Sequence, residues 1–109
     1  YRMRAAEVFR RQADILYERL AAHGVGEAQI SVRWMTRRWG SCTPTKRIIL
    51  NPLLVINPID CVAYVVAHEL CHLKVPNHGD AFYRLLSTVM PDWQKRRERL
   101  ERSGAHLDL

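Results

Sequence analysis

Between Asn57 and Pro76 the chain carries a segment with few ways to fold. Val62, Ala63, Val65, Val66, Ala67, Leu70 and Cys71 leave almost no polar face, which predicts a helix buried on most of its sides. Asn57 suits its N-cap, Pro58 its first position and Asp60 its dipole, while Pro76 closes it after about Lys74. Within this helix stand His68, Glu69, Leu70, Cys71 and His72 in succession. Three ionisable groups on an apolar helix are costly unless they are paired or bind a metal. Two histidines four residues apart are separated by about 40° around the axis and one turn along it, so both imidazoles can point at one ion. Glu69 lies about 100° from His68, within reach of a metal-bound water without being a ligand. That is the geometry of a zinc hydrolase helix, with His68 and His72 as ligands and Glu69 as general base.

A catalytic zinc usually takes three protein ligands and keeps one position open. His78 is the first choice for the third, because Pro76 ends the helix and lets the chain turn back toward the ion. The spacing H-E-x-x-H-x-x-x-x-x-H equals that of the long zinc-protease signature, although Val75 stands where that signature has glycine. Cys42 is the rival: peptide deformylases pair an upstream Gly-Cys segment with an H-E-x-x-H helix, and Trp39-Gly40-Ser41-Cys42 loosely resembles that arrangement. Under the deformylase reading His78 has no role. Cys61, Cys71 and Met90 read as core packing.

Elsewhere, Ala5, Val8, Phe9, Ala13, Leu16 and Leu20 recur at three- and four-residue steps, predicting an amphipathic helix over 2–22 that stops at His23-Gly24. Gln29 to Met35 alternates as a half-buried strand, Trp39 to Thr45 reads as a turn, and Lys46 to Leu50 as a second strand antiparallel to the first. Leu53 to Ile56 is an apolar connection. After the central helix, Phe82, Leu85, Leu86 and Val89 mark a helix over 79–90, Pro91-Asp92 opens a charged one through about Arg102, and Ser103 to Leu109 reads as a frayed end. At 109 residues with no repeat or linker, one domain over 1–109 is expected, and a chain beginning at Tyr1 reads as part of a longer protein.

The longest apolar stretch, Cys61 to Ala67, is 7 residues against the ~20 a membrane helix needs. Three cysteines cannot form a closed disulfide set, so a reducing cytoplasm is the expected location. The net charge of +6 is uneven: residues 1–51 hold ten Lys/Arg against four acids, and residues 52–109 seven against seven. Arg33, Arg37, Arg38, Lys46 and Arg47 lie in an acid-free segment with Trp34 and Trp39, which is either a solvated basic hairpin or a nucleic-acid surface.

Taken in order, Arg38-Trp39-Gly40-Ser41-Cys42, Ile49-Leu50-Asn51 with Leu54, His68-Glu69-Leu70-Cys71-His72, Pro76-Asn77-His78 with Phe82, and Met90-Pro91-Asp92-Trp93 resemble the YgjP-like metal-dependent hydrolases, which are related to the WLM and SprT-like zinc metallopeptidases. The resemblance implies one Zn²⁺ held by His68, His72 and His78, with Glu69 as base, acting on a peptide or protein substrate. It also brings in DNA-dependent relatives, so nucleic acid is a second expected partner. The expected architecture is α+β and zincin-like: an N-terminal helix, a short antiparallel sheet, and the buried H-E-x-x-H helix followed by two C-terminal helices. Lys46 to Leu50 is the expected edge for an extended substrate. Tyr64, Tyr83 and Arg38 are unranked candidates for stabilising the oxyanion.

Overall fold

A computed structural model describes residues 2–103 and 107–109. Helix α1 (Arg2–Ala21) buries Ala5, Phe9, Ala13, Leu16 and Leu20, the stripe its periodicity demands. It ends where Gly24 adopts φ +80° and the Val25 N–H reaches back to the Leu20 carbonyl at 3.1 Å, a turn that favours glycine.

Three short strands follow: β1 (Gln29–Val32), β2 (Gly40–Cys42) and β3 (Arg47–Leu50), in the order β1-β3-β2. The pairing differs from the expected hairpin. β1 and β3 run parallel, and the antiparallel partner of β3 is β2, which forms inside the segment expected to be only a turn. The reason lies at Thr43–Lys46: Thr43 Oγ1 accepts from the Arg47 N–H at 3.1 Å, and Lys46 takes φ 64°, closing a tight turn that leaves Gly40–Cys42 beside β3. The chain from β1 to β3 is then long enough to make the crossover that a parallel pair needs. β3 becomes the central strand with neighbours on both sides, so it cannot be the substrate edge.

A 3-10 turn, Pro52–Ile56, supplies the connection to the central helix, its Leu53 N–H capped by the Asn51 side chain. Helix α2 (Ile59–Cys71) is buried at every residue from Cys61 to Cys71. Its cap is one residue later than the sequence predicts. Pro58 is the N-cap with no side-chain bond, Asn57 Nδ2 donates instead to the Leu54 carbonyl, and the helix ends three residues before Lys74 in a turn. α1, the sheet and the last two helices, α3 (Asp80–Val89) and α4 (Trp93–Glu101), pack around it. Arg99 of α4 pairs with Asp60 at the start of α2. Among the described residues no helix is long and apolar enough to cross a membrane.

The C-terminal end is partly ordered rather than frayed. Asp108 donates its N–H to the Arg37 carbonyl at 2.8 Å and accepts from the Trp39 N–H at 2.7 Å, a parallel bridge on the segment leading into β2. Residues 104–106 of the expected frayed end lie outside the described residues.

Candidate metal centre

His68 and His72 occupy the last turn of α2 and its C-cap, and the chain past Pro76 brings His78 back over them. His78 Nε2 lies 3.1 Å from His68 Nε2 and 2.8 Å from His72 Nε2, and one ligand atom from each of the three rings falls within 4.8 Å of the others. His72 Nδ1 faces the Val75 carbonyl at 3.1 Å, which assigns the proton to Nδ1 and leaves the lone pair on Nε2. Cys42 is not part of this group; half-buried on β2, its Sγ faces the Thr43 carbonyl at 3.8 Å.

Burial sets the charge states. His68 is held down to about pH 3 by burial and then by His72 and His78, so it stays neutral, and burial lowers His72 as well. Glu69 is 1% exposed, and burial pushes its carboxyl up to about 8 against the opposing pull of Arg38. Glu69 Oε2 and His68 Nδ1 are buried without a hydrogen-bond partner among the described residues. Three converging imidazole nitrogens beside a buried carboxyl with an unpartnered oxygen form a donor set suited to a divalent cation such as zinc.

Phe82 of α3 is the platform beneath the cluster. Wholly buried, it stacks on His72 at 4.4 Å between ring centres and lies edge-on to His68 at 4.9 Å and His78 at 5.0 Å. Two cavities flank the histidines. One, of about 380 Å³, is walled by Trp39, Tyr64, His68, His78, Tyr83 and Arg97, and the other by Arg38, Cys42, Lys46, Glu69, His72 and His78, with Leu109 lining both. Tyr64 and Tyr83 therefore face the His68 side of the site and Arg38 the Glu69 side.

Residues 1–103 match the YgjP-like metallopeptidase domain. The chain belongs to that family. This YgjP-like domain is thus a metal-dependent protease, with the α+β fold of the zincin-like metallopeptidases. Its architecture is similar to the metallopeptidase zymogen abylysin of Pyrococcus abyssi, with a TM-score of 0.74 and 19% identity over 96% of this chain and 99% of that one. It is also similar to the metallopeptidase zymogen jannalysin of Methanocaldococcus jannaschii, with a TM-score of 0.67 and 24% identity over 84% of this chain and 94% of that one. No curated protein matches it in sequence.

Three contributors to the site of this YgjP-like domain escape a reading of functional residues from sequence: Phe82, Gly40 and Asn51. Phe82 reads as one apolar residue of α3, and only tertiary packing brings its ring against the three imidazoles. Asn51 is simply the residue after the expected strand Lys46 to Leu50, yet it is wholly buried, donating to the Met35 carbonyl at 2.8 Å and the Arg38 carbonyl at 3.0 Å. The signal that was available is its place, with Gly40, in the segments that carry the family resemblance.

Proposed function

We propose that this domain hydrolyses peptide bonds with one Zn²⁺ held by His68, His72 and His78 and with Glu69 as general base. The observation that carries the reading is the approach of three Nε2 atoms, at 2.8 and 3.1 Å, beside a buried carboxyl with an unpartnered oxygen. A zinc ion in such a site acts as a Lewis acid on a carbonyl and lowers the pKa of water. Its positive charge also favours the ionised form of Glu69 over the neutral form that burial alone prefers. Glu69 then takes a proton from the attacking water and returns it to the departing amine. Tyr83, half-buried on the wall of the His68-side cavity, can donate its hydroxyl toward a substrate carbonyl, whereas Tyr64 on the same wall is almost wholly buried.

An extended substrate pairs with the edge at Arg37–Trp39, where the Arg37 carbonyl and Trp39 N–H already engage the backbone of Asp108. Leu107–Leu109 occupies that edge and lines the His68-side cavity, which supports reading this arrangement as a latent form of the site; the two similar structures are themselves zymogens. A second reading, in which nucleic acid is a partner, is favoured by Arg38 and Lys46, exposed cations that wall the Glu69-side cavity, together with exposed Arg33, Arg37 and Arg47. Stimulation of cleavage by DNA that fades as salt rises supports this second reading; a rate indifferent to DNA removes it.

The test of the proposed chemistry is Glu69→Gln. The variant is expected to keep its zinc and lose at least ~10²-fold in hydrolysis of an unfolded protein substrate, the scale of general-base catalysis. Undiminished hydrolysis refutes the role of Glu69.

A further inference from the structure

We infer that Gly40 is a positioning residue for Glu69: the side chain it lacks is the space in which the Glu69 carboxyl is held at the site. The inference rests on the reading of Glu69 as the base. A Cβ placed at residue 40 would stand 2.9 Å from Leu50 Cδ2, 3.0 Å from Glu69 Cγ and 3.2 Å from Glu69 Oε2. Gly40 does not adopt positive φ, so its backbone would tolerate any residue. What requires glycine is the close approach of β2 to α2.

The backbones that carry these neighbours are fixed, so it is the side chains of Leu50 and Glu69 that must shift. Leu50 is wholly buried and stands opposite Gly40 in the β2–β3 register. Glu69 is held on the buried central helix, with the cavity walled by Arg38 and His72 as the space its side chain can turn into. β2 itself is held from behind: the Asn51 N–H donates to the Trp39 carbonyl at 2.9 Å, and Asn51 Nδ2 ties down the carbonyls of Met35 and Arg38. Glu69 Oε2 has no hydrogen bond among the described residues to aim it, so its close approach to Gly40 sets where the carboxyl points. A methyl group at residue 40 therefore turns the Glu69 side chain off its rotamer and away from the water it must deprotonate, leaving the three histidines in place.

Two double-mutant cycles test this. In the first, thermal unfolding of the metal-free protein is measured for Gly40→Ala with Glu69 intact and in a Glu69→Ala background. Gly40→Ala is expected to lower the Tm by about 5 °C or more when Glu69 is present and by less than half as much when it is absent. Should Gly40→Ala alone fail to fold, recovery of folding in Gly40→Ala/Glu69→Ala supports the contact. Equal losses in both backgrounds, or a double variant that also fails to fold, overturn it. In the second cycle, Gly40→Ala with unchanged zinc content is expected to lose at least tenfold in kcat with KM held within twofold, and to cause no further loss in a Glu69→Gln background. Losses that multiply across the two substitutions overturn the positioning role. If Glu69→Gln itself retains full activity, the base reading fails, while the unfolding cycle still decides whether Gly40 places Glu69.

Discussion

Replacing Asn51 with alanine removes three hydrogen bonds from a side chain with no solvent exposure: those it donates to the Met35 and Arg38 carbonyls and the one its oxygen accepts from the Leu53 N–H at 3.1 Å. Each such bond contributes about 0.5–1.5 kcal/mol net, and a partner left unsatisfied away from water costs about 1–3 kcal/mol. Met35 is half-buried and Arg38 is exposed, so water can reach part of what is vacated and the lower values apply. The sum is about 3 kcal/mol. With a urea slope of about 1.5 kcal/mol per molar, the unfolding midpoint of the metal-free protein falls by about 2 M. The fluorescence of Trp39, buried beside this junction, reports the transition. Asn51→Asp separates the donors from the acceptor: it can still accept from Leu53 but turns a carboxylate toward two carbonyl oxygens, so its loss equals or exceeds that of alanine. A midpoint shift below about 0.5 M for alanine, or an aspartate variant as stable as the wild type, refutes the claim that Asn51 anchors the strand facing Glu69.

Phe82→Ala is expected to cost about 3–5 kcal/mol in chemical unfolding, and to weaken zinc binding about tenfold in competition with a chromogenic chelator because the three imidazoles lose their platform. Phe82→Leu restores most of the stability. Cys42→Ser leaves zinc content unchanged in elemental analysis, as its thiol lies outside the histidine cluster; loss of the metal there revives the deformylase-like reading. Deleting residues 104–109 frees the edge at Arg37–Trp39 and is expected to raise peptide hydrolysis, read as initial rate on an unfolded substrate. An unchanged or lower rate speaks against latency.

The helices were legible because each announces itself locally. The stripe of α1, the apolar circumference of α2 and the Phe82-Leu85-Leu86-Val89 face of α3 depend on residues within one element. The gathering of His68 and His72 follows from helical spacing alone, and that of His78 from the break expected at Pro76, although the helix itself ends earlier, at Cys71. Strand pairing was less legible. β2 is three residues long, and its existence depends on a turn whose Lys46 adopts a backbone conformation that lysine rarely prefers. Expecting Gln29–Met35 to pair as a hairpin with Lys46–Leu50 mistook the direction and put the substrate edge on what is the central strand. Gly40 and Asn51 escaped a functional reading for another reason: their effects act across elements, through a missing methyl group and three buried hydrogen bonds that no periodicity encodes.

Metal analysis after exhaustive dialysis against trace zinc tests the central claim most directly, comparing the wild-type protein, His78→Ala and Glu69→Gln. Wild type and Glu69→Gln are expected to retain one zinc ion per chain, and His78→Ala to lose it. Full zinc occupancy in His78→Ala, or none in the wild type, contradicts the three-histidine centre.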